Sequence, residues 1–199
     1  MTVRTFFFYG SWTEGFVHYE RLRNFIRGTE AAQIQGSAYR LAVGYPVVLN
    51  GGQDWIKGTL MNLEVSEFLV QLLDQFHGVN PMDESKALYH RREVEVRTAH
   101  GTQMATTYFV NPAKLPKTAT MIKDGNWEQS LAQEEPLPAK LTDRQREYIA
   151  KLGNVSGREI IPIQDLSLYR ELMKLELIVD KGRRLALSKL GHEVCQYLG

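Results

Sequence analysis

The sequence predicts an α+β protein: a mixed-sheet domain with flanking helices over the first two-thirds of the chain, then a smaller, mainly helical unit. Three observations predict it. Up to residue 110, β-branched and aromatic runs bounded by glycines alternate with segments of helical period. Pro112, Pro116, Pro136 and Pro138 then break the texture. Beyond residue 140 the apolar period is again mostly helical.

In order along the chain, residues 3–9 are β-branched and aromatic and stop at Gly10, which reads as a strand entering a tight turn. Residues 16–26 set Phe16, Tyr19, Leu22, Phe25 and Ile26 at helical spacing, with Gly28 as the stop. Short strands are expected near 34–41, 46–49 and 55–64, punctuated by Gly44, Gly51, Gly52 and Gly58. The clearest helix follows. Ser66 is a good N-cap, Phe68, Leu69, Leu72, Leu73 and Phe76 form one apolar face, and Gly78 stands where a helix ends. Residues 89–97 alternate Val94 and Val96 with charge, and 103–110 continue after a turn at His100-Gly101.

Residues 131–140, with Glu134-Glu135-Pro136, have little to bury and read as a linker between domains at 1–130 and 141–199. In the second domain Thr142 and Gln145 have capping-box spacing, with Tyr148, Ile149 and Leu152 on the helix face. Leu168, Leu172 and Leu175 mark another helix over 165–175. Residues 177–179 and 184–187 flank a turn at Asp180-Lys181-Gly182-Arg183, and a last helix covers 188–198.

Composition excludes several classes. The 43% hydrophobic and 24% charged content is that of an ordinary globular protein. A net charge of +1 gives no whole-molecule field for nucleic acid or an anionic membrane. No apolar run approaches the roughly 18 residues of a membrane span, and Phe6-Phe7-Phe8-Tyr9 is too short for a signal-peptide core. A cytoplasmic protein is expected. The triplet Asn154-Val155-Ser156 carries no weight without a secretion signal. Cys195 stands alone in the last amphipathic segment and reads as core, so there is no intramolecular disulfide or cysteine-based metal site. His18, His90, His100 and His192 show no ligand spacing. Neither metal nor other cofactor is expected.

An ordered set of landmarks suggests a family. Tyr9-Gly10-Ser11 closes the first strand, followed by Gly36, Tyr39, Leu41, Gly44-Tyr45-Pro46 and Lys57-Gly58-Thr59-Leu60. Then come Leu73-Asp74 with Gly78, Tyr89 and Arg91 with Val94 and Val96, Tyr108, and Ile122, Gly125 and Trp127. Over residues 3–130 this pattern resembles the gamma-glutamylcyclotransferase-like superfamily, which includes gamma-glutamylamine cyclotransferases and plant proteins of the avirulence-induced type. The resemblance implies a small, mixed, barrel-like sheet with flanking helices. It also implies that the loop Tyr9-Gly10-Ser11-Trp12 holds a gamma-glutamyl group. The loop's physics agrees: glycine lets the main chain turn closely, successive N–H groups bind a carboxylate, Ser11 adds a hydroxyl, and Trp12 can wall one side.

The implied reaction is intramolecular. The ligand's α-amine attacks its side-chain amide carbonyl, giving 5-oxoproline and a released amine. A base must first take a proton from the ammonium, and an acid must return one to the leaving amine. In the family a glutamate in a Glu-Gly pair does both; here the matching pair is His77-Gly78. A neutral imidazole is a base near pH 7, but the helix C-terminus favours imidazolium and the substrate ammonium loses a negative partner. Altered or lost cyclisation is the expectation, with Asp74, Asp83, Glu84 and Glu93 as nearby carboxylates; solvated charge is the expected role of Asp74 and Glu84. Tyr89 and Tyr108 match family positions and offer hydroxyls to the pocket or pack the core. Arg91 also matches, with Glu93 or a solvated neighbour as its expected partner.

The second domain resembles a winged-helix module. Residues 140–199 hold 11 basic and 8 acidic residues, a balance of +3 against −2 for the rest, and the wing carries Lys181, Arg183 and Arg184. Phosphate contact is one use of such a wing. Glu171 and Glu176 suit a DNA groove poorly, and Ile160-Ile161-Pro162 interrupts the preceding helix, so protein docking or self-association ranks above nucleic acid. The functional expectation is a protein that binds a gamma-glutamyl-type small ligand, with a shifted or absent base at His77 for cyclising it to 5-oxoproline. The alternatives are a non-catalytic ligand-sensing or interaction protein and, third, a DNA-binding regulator.

Overall fold

Three consecutive phenylalanines set the architecture of the first unit. In the computed structural model, which describes residues 2–155, 162–182 and 184–198, the chain divides into two compact units, Met1–Glu134 and Glu135–Gly199. The first runs β1 (Thr2–Phe8), a 3-10 turn (Gly10–Trp12), α1 (Tyr19–Leu22), a second 3-10 turn (Arg23–Phe25), β2 (Ile26–Arg40), β3 (Pro46–Val65), α2 (Glu67–His77), β4 (Tyr89–Thr98), β5 (Gly101–Val110), β6 (Thr120–Met121) and α3 (Trp127–Gln133), with further 3-10 turns at Pro112–Lys114 and Lys123–Gly125. The sheet order is β3-β1-β5-β4-β2-β6, and β2 also pairs with β3. Five strands therefore close on themselves, and β6 hangs on the end of β2. The sheet is mixed because β1 meets β5 in parallel, at Phe6 and Thr106, while every other pairing is antiparallel.

Alternation along β1 feeds two cores. Phe7 points into the barrel with Ile34, Ile56, Leu60, Val96 and Phe109. Phe6 and Phe8 point outward and pack with Met61, Leu63, Leu69 and Leu73 beneath α2. The register with β3 keeps the two sets apart, since Phe7 lies opposite Leu60 and Phe6 opposite Met61; a one-residue slip would exchange them. Trp127 closes the barrel core, 1% exposed, with its indole N–H donating to the Lys57 carbonyl at 2.7 Å.

Three local expectations change. Residues 16–26 form only α1 and a 3-10 turn, because their apolar side chains serve different cores: Phe16 meets Trp127 at 5.5 Å, while Leu22 joins the outer cluster and Ile26 enters β2 opposite Leu63. Gly28 lies inside β2, opposite Asn62, rather than stopping a helix. The pieces expected at 46–49 and 55–64 are one 20-residue strand. Pairing jumps from Ser37–Leu49 to Gly36–Asp54, so a bulge absorbs the glycines at 51 and 52 without ending the ladder. On α2, Ser66 caps the Leu69 N–H and Gly78 takes the left-handed conformation, as expected. The buried face, however, is Leu69, Val70, Leu73 and His77, while Phe68 and Leu72 face outward at 68% and 44% exposure.

The second unit contains α4 (Leu137–Lys140), α5 (Asp143–Asn154), α6 (Leu166–Lys174), the hairpin β7 (Ile178–Asp180) and β8 (Leu185–Leu187), and α7 (Lys189–Gln196). The stretch read as a linker thus carries the end of α3 and all of α4. The capping box of Thr142 and Gln145 forms. Ile149, Leu172, Leu177, Ile178 and Val194 are buried. Ser156 of the glycosylation triplet, Ile160-Ile161 and the wing residue Arg183 lie outside the described residues. Among the described residues no helix is long and apolar enough to cross a membrane.

Burial decides which phenylalanines matter. Phe7→Ala should cost about 3–5 kcal/mol in urea unfolding, a cavity in the barrel core. Phe68→Ala, at an exposed site, should change it by less than about 0.5 kcal/mol.

Candidate functional site

The end of β1 becomes a clamped turn. Gly10 has φ +60 and φ/ψ space there is costly for other residues; a Cβ would also stand 2.7 Å from Pro46 Cγ. The Gly10 carbonyl accepts from the Thr13 N–H at 3.1 Å and its hydroxyl at 2.8 Å, and the Ser11 carbonyl accepts from the His18 N–H at 2.9 Å. The turn's carbonyls are therefore engaged. Among the described residues no backbone carbonyl takes the Gly10 or Ser11 N–H, and the Ser11 hydroxyl makes no hydrogen bond. Two main-chain donors and one hydroxyl thus stand without a protein partner among the described residues, in a turn that is itself buried.

Trp12 does not stand as an open wall. It is 7% exposed and its ring packs against Phe8 at 5.5 Å, His18 at 4.9 Å, Phe76 at 4.9 Å and His77 at 5.3 Å. His77, the last residue of α2, continues the stack: its ring lies parallel to that of Tyr108, centroids 3.8 Å apart at 2°, and meets Tyr89 edge-on at 5.4 Å. His77 Nδ1 lies 2.8 Å from the Leu73 carbonyl, which makes it the protonated nitrogen and leaves the lone pair on Nε2. Burial pushes the His77 pKa down to about 4, against the smaller upward effect of the Leu73 hydrogen bond. The helix C-terminus was expected to favour imidazolium; loss of hydration outweighs it. His18 is fully buried against Trp12 and Phe76, with its pKa pushed down to about 3 by burial first, then by Arg21 and His77.

Asp74 is bound into the same corner rather than solvated. Its carboxylate accepts from the Tyr108 hydroxyl at 3.0 Å and from Arg91 at 2.7 Å, so Arg91 pairs with Asp74 and not with Glu93. Burial, then the Asp74 charge, push the Tyr108 pKa upward, which keeps the phenol a donor. Tyr9 acts elsewhere: its hydroxyl donates to the Tyr108 carbonyl at 2.9 Å and accepts from the Val48 N–H at 3.2 Å, tying β5 to β3. The structure thus brings Trp12, His77, Tyr89 and Tyr108 into one stack, with Gly10 and Ser11 joined to it through Trp12. It sets the Tyr9 side chain apart as a strut. Glu84 pairs with Arg92 and Asp83 with Lys86. Sequence reasoning missed His18 and the Asp74–Arg91–Tyr108 cluster, since both depend on contacts across the sheet that no local spacing records.

Residues 6–129 match the family model described as "Gamma-glutamyl cyclotransferase, AIG2-like". Among solved structures, the chain is similar to YkqA of Bacillus subtilis, 25% identical with TM-score 0.50, over 66% of this chain and 42% of that one. The matched part therefore spans less than half of YkqA. An AIG2-like protein of Mus musculus is 15% identical over 59% of this chain and 83% of that one, with TM-score 0.46. An Arabidopsis thaliana protein is 19% identical over 83% of this chain and 97% of that one, with TM-score 0.49. A search of curated proteins finds no match.

The two buried histidines predict an acid-labile fold. Both titrate lower in the folded chain than at the ordinary 6.5, so their contribution is whole above pH 6.5 and drains as pH falls toward 4 and 3. The expected slope is about 1.4 kcal/mol per pH unit for each neutral histidine. Urea midpoints at pH 7.5, 6.5 and 5.5 should be level and then fall, and the fall should be shallower in His77→Phe.

Proposed function

This chain belongs to the gamma-glutamyl cyclotransferase, AIG2-like family, whose model its residues 6–129 match, and from that premise we propose that it holds a gamma-glutamyl-type ligand at Gly10-Ser11 without an efficient cyclising base. Cyclotransferase-like function follows from the family; the ligand and the fate of the reaction are the proposal. The mixed barrel with flanking helices is the family's fold.

The carrying observation is the environment of His77. The uncommitted N–H groups of Gly10 and Ser11, with the Ser11 hydroxyl, suit the carboxylate end of a gamma-glutamyl ligand. Cyclisation then requires the α-ammonium to lose a proton. An α-amino group titrates near 8, so transfer to an imidazole whose pKa is about 4 runs uphill by about 5 kcal/mol. The product would be an imidazolium buried among Trp12, Phe76 and Tyr108, beside no carboxylate hydrogen-bonded to it. A glutamate at this position supplies negative charge to the ammonium; His77 supplies none.

A second reading keeps turnover and moves the base. Asp74 is one helical turn before His77, and its carboxylate is fixed by Tyr108 and Arg91. Both oxygens of that carboxylate are already engaged, one by Arg91 and one by Tyr108, which ranks this reading below ligand holding. For the second unit we propose a winged-helix-like docking or self-association module, supported by the order α5, α6, hairpin, α7 that follows the short α4. DNA binding through Lys181 and Arg184 ranks below it, and would require affinity that falls steeply with salt.

The test combines binding with turnover. Gamma-glutamyl dipeptides and gamma-glutamylamines should raise the melting temperature, the rise should shrink in Ser11→Ala, and no 5-oxoproline should accumulate. Product that persists in Asp74→Asn and vanishes in His77→Ala would show His77 to be a working base and overturn the proposal. Product lost in Asp74→Asn alone would establish the second reading.

A further inference from the structure

We propose that the trough between α2 and the turn that follows α1 is a second ligand site, for an amphipathic organic anion: an aryl or alkyl carboxylate whose charge meets Arg21. The trough holds about 440 Å³, within the range of small-molecule sites. Trp12, Leu69 and Leu73 form its floor, and Phe25, Phe68 and Leu72 its walls. Those walls are 36%, 68% and 44% exposed. Three large apolar side chains around one concavity differ from the singly scattered kind that any surface carries. The mouth of the trough lies away from the His77 corner, although Trp12 and Phe76 border both. At 100° per residue, Phe68 and Leu72 lie on the side of α2 opposite Val70 and His77, which face the barrel. Because Trp12 links the floor to Gly10-Ser11, competition with a loop ligand is part of the test.

Charge selects the occupant. Arg21 lines the trough with its guanidinium over the Phe76 ring, 5.6 Å from the centroid. Among the described residues it makes no ion pair. The carboxylates on the same elements are already engaged, Glu20 with Arg23 at 3.3 Å and Glu67 with Arg4 at 3.2 Å. A cation at an apolar mouth, with neighbouring acids committed elsewhere, favours a ligand with one anionic head and an apolar body. A neutral apolar molecule would fill the floor and leave Arg21 unmatched.

Isothermal titration of the full chain with 2-naphthylacetate and with neutral 2-naphthylacetamide tests this. The acid should bind about tenfold tighter than the amide. Arg21→Gln should bring the two to equal affinity, and Leu72→Glu, at an exposed position that leaves the melting temperature unchanged, should abolish both. Equal affinities in the unsubstituted chain, or unchanged binding in Leu72→Glu, would overturn the proposal. So would displacement of 2-naphthylacetate by a gamma-glutamyl dipeptide, which would make the trough part of the loop site. Sedimentation as a dimer that Leu72→Glu splits, with neither probe bound, would make it a self-association face instead.

Discussion

The structure of the first unit depends on the alternation of Phe6, Phe7 and Phe8 along one strand. Each of these side chains is at most 2% exposed, yet they serve opposite faces. Full burial of a phenylalanine is worth about 1.5–3 kcal/mol, so the register between β1 and β3 is fixed by several kcal/mol of apolar burial on both sides at once. The Thr107 hydroxyl donates to the Phe7 carbonyl at 2.9 Å, adding to the single parallel pair where β1 meets β5. Because β1 cannot slide, the position of Gly10 is set. The Gly10-Ser11 turn is thereby anchored to a strand whose last three residues are fully buried.

The corner beyond that loop shows how packing settles chemistry. A histidine at a helix C-terminus is usually pulled toward its charged form. Here the ring is stacked between Trp12 and Tyr108, and burial wins. The aromatic contacts that stabilise His77 as a neutral ring are the same contacts that make a charged form expensive. Packing and charge compete for one side chain, and burial prevails over the helix end.

Much of the fold was legible because its signals are local. The caps of α2 and α5, the β4–β5 hairpin and the alternation of β1 all lie within a few residues of one another in sequence. Several landmarks prove to be places where space is short: Gly10 against Pro46, Gly58 against the Phe8 carbonyl, and Gly125 against Ile56. What was not legible is non-local. The period of Phe16 to Ile26 is helical, but its side chains divide between two cores, and weak helix formers such as Val17 and His18 do not resist the division. The outward turn of Phe68 and Leu72 likewise follows from which face of α2 the phenylalanines of β1 occupy. At the site, Tyr9 matched a pattern by residue type while its hydroxyl serves the sheet. Asp74 stood among the landmarks, but its pairing was not legible, because its partners come from β4 and β5.

These contacts bear on what a histidine means at the end of α2. If His77 were simply a substituted base, its surroundings would be expected to keep room and polarity for a charged group. They are instead Trp12, Phe76, Tyr89 and Tyr108, with one carbonyl as hydrogen-bond partner. The nearest fixed carboxylate, on Asp74, is spent on a guanidinium and a phenol. The whole corner is therefore arranged around a neutral ring, and reversing one residue would not by itself restore a carboxylate's environment. The loop, by contrast, keeps its donors uncommitted in a left-handed turn that glycine adopts without strain. The proposal that this chain holds a gamma-glutamyl-type ligand without an efficient base rests on that contrast: N–H groups without a protein acceptor in the loop, and a neutral, core-packed ring at the end of α2.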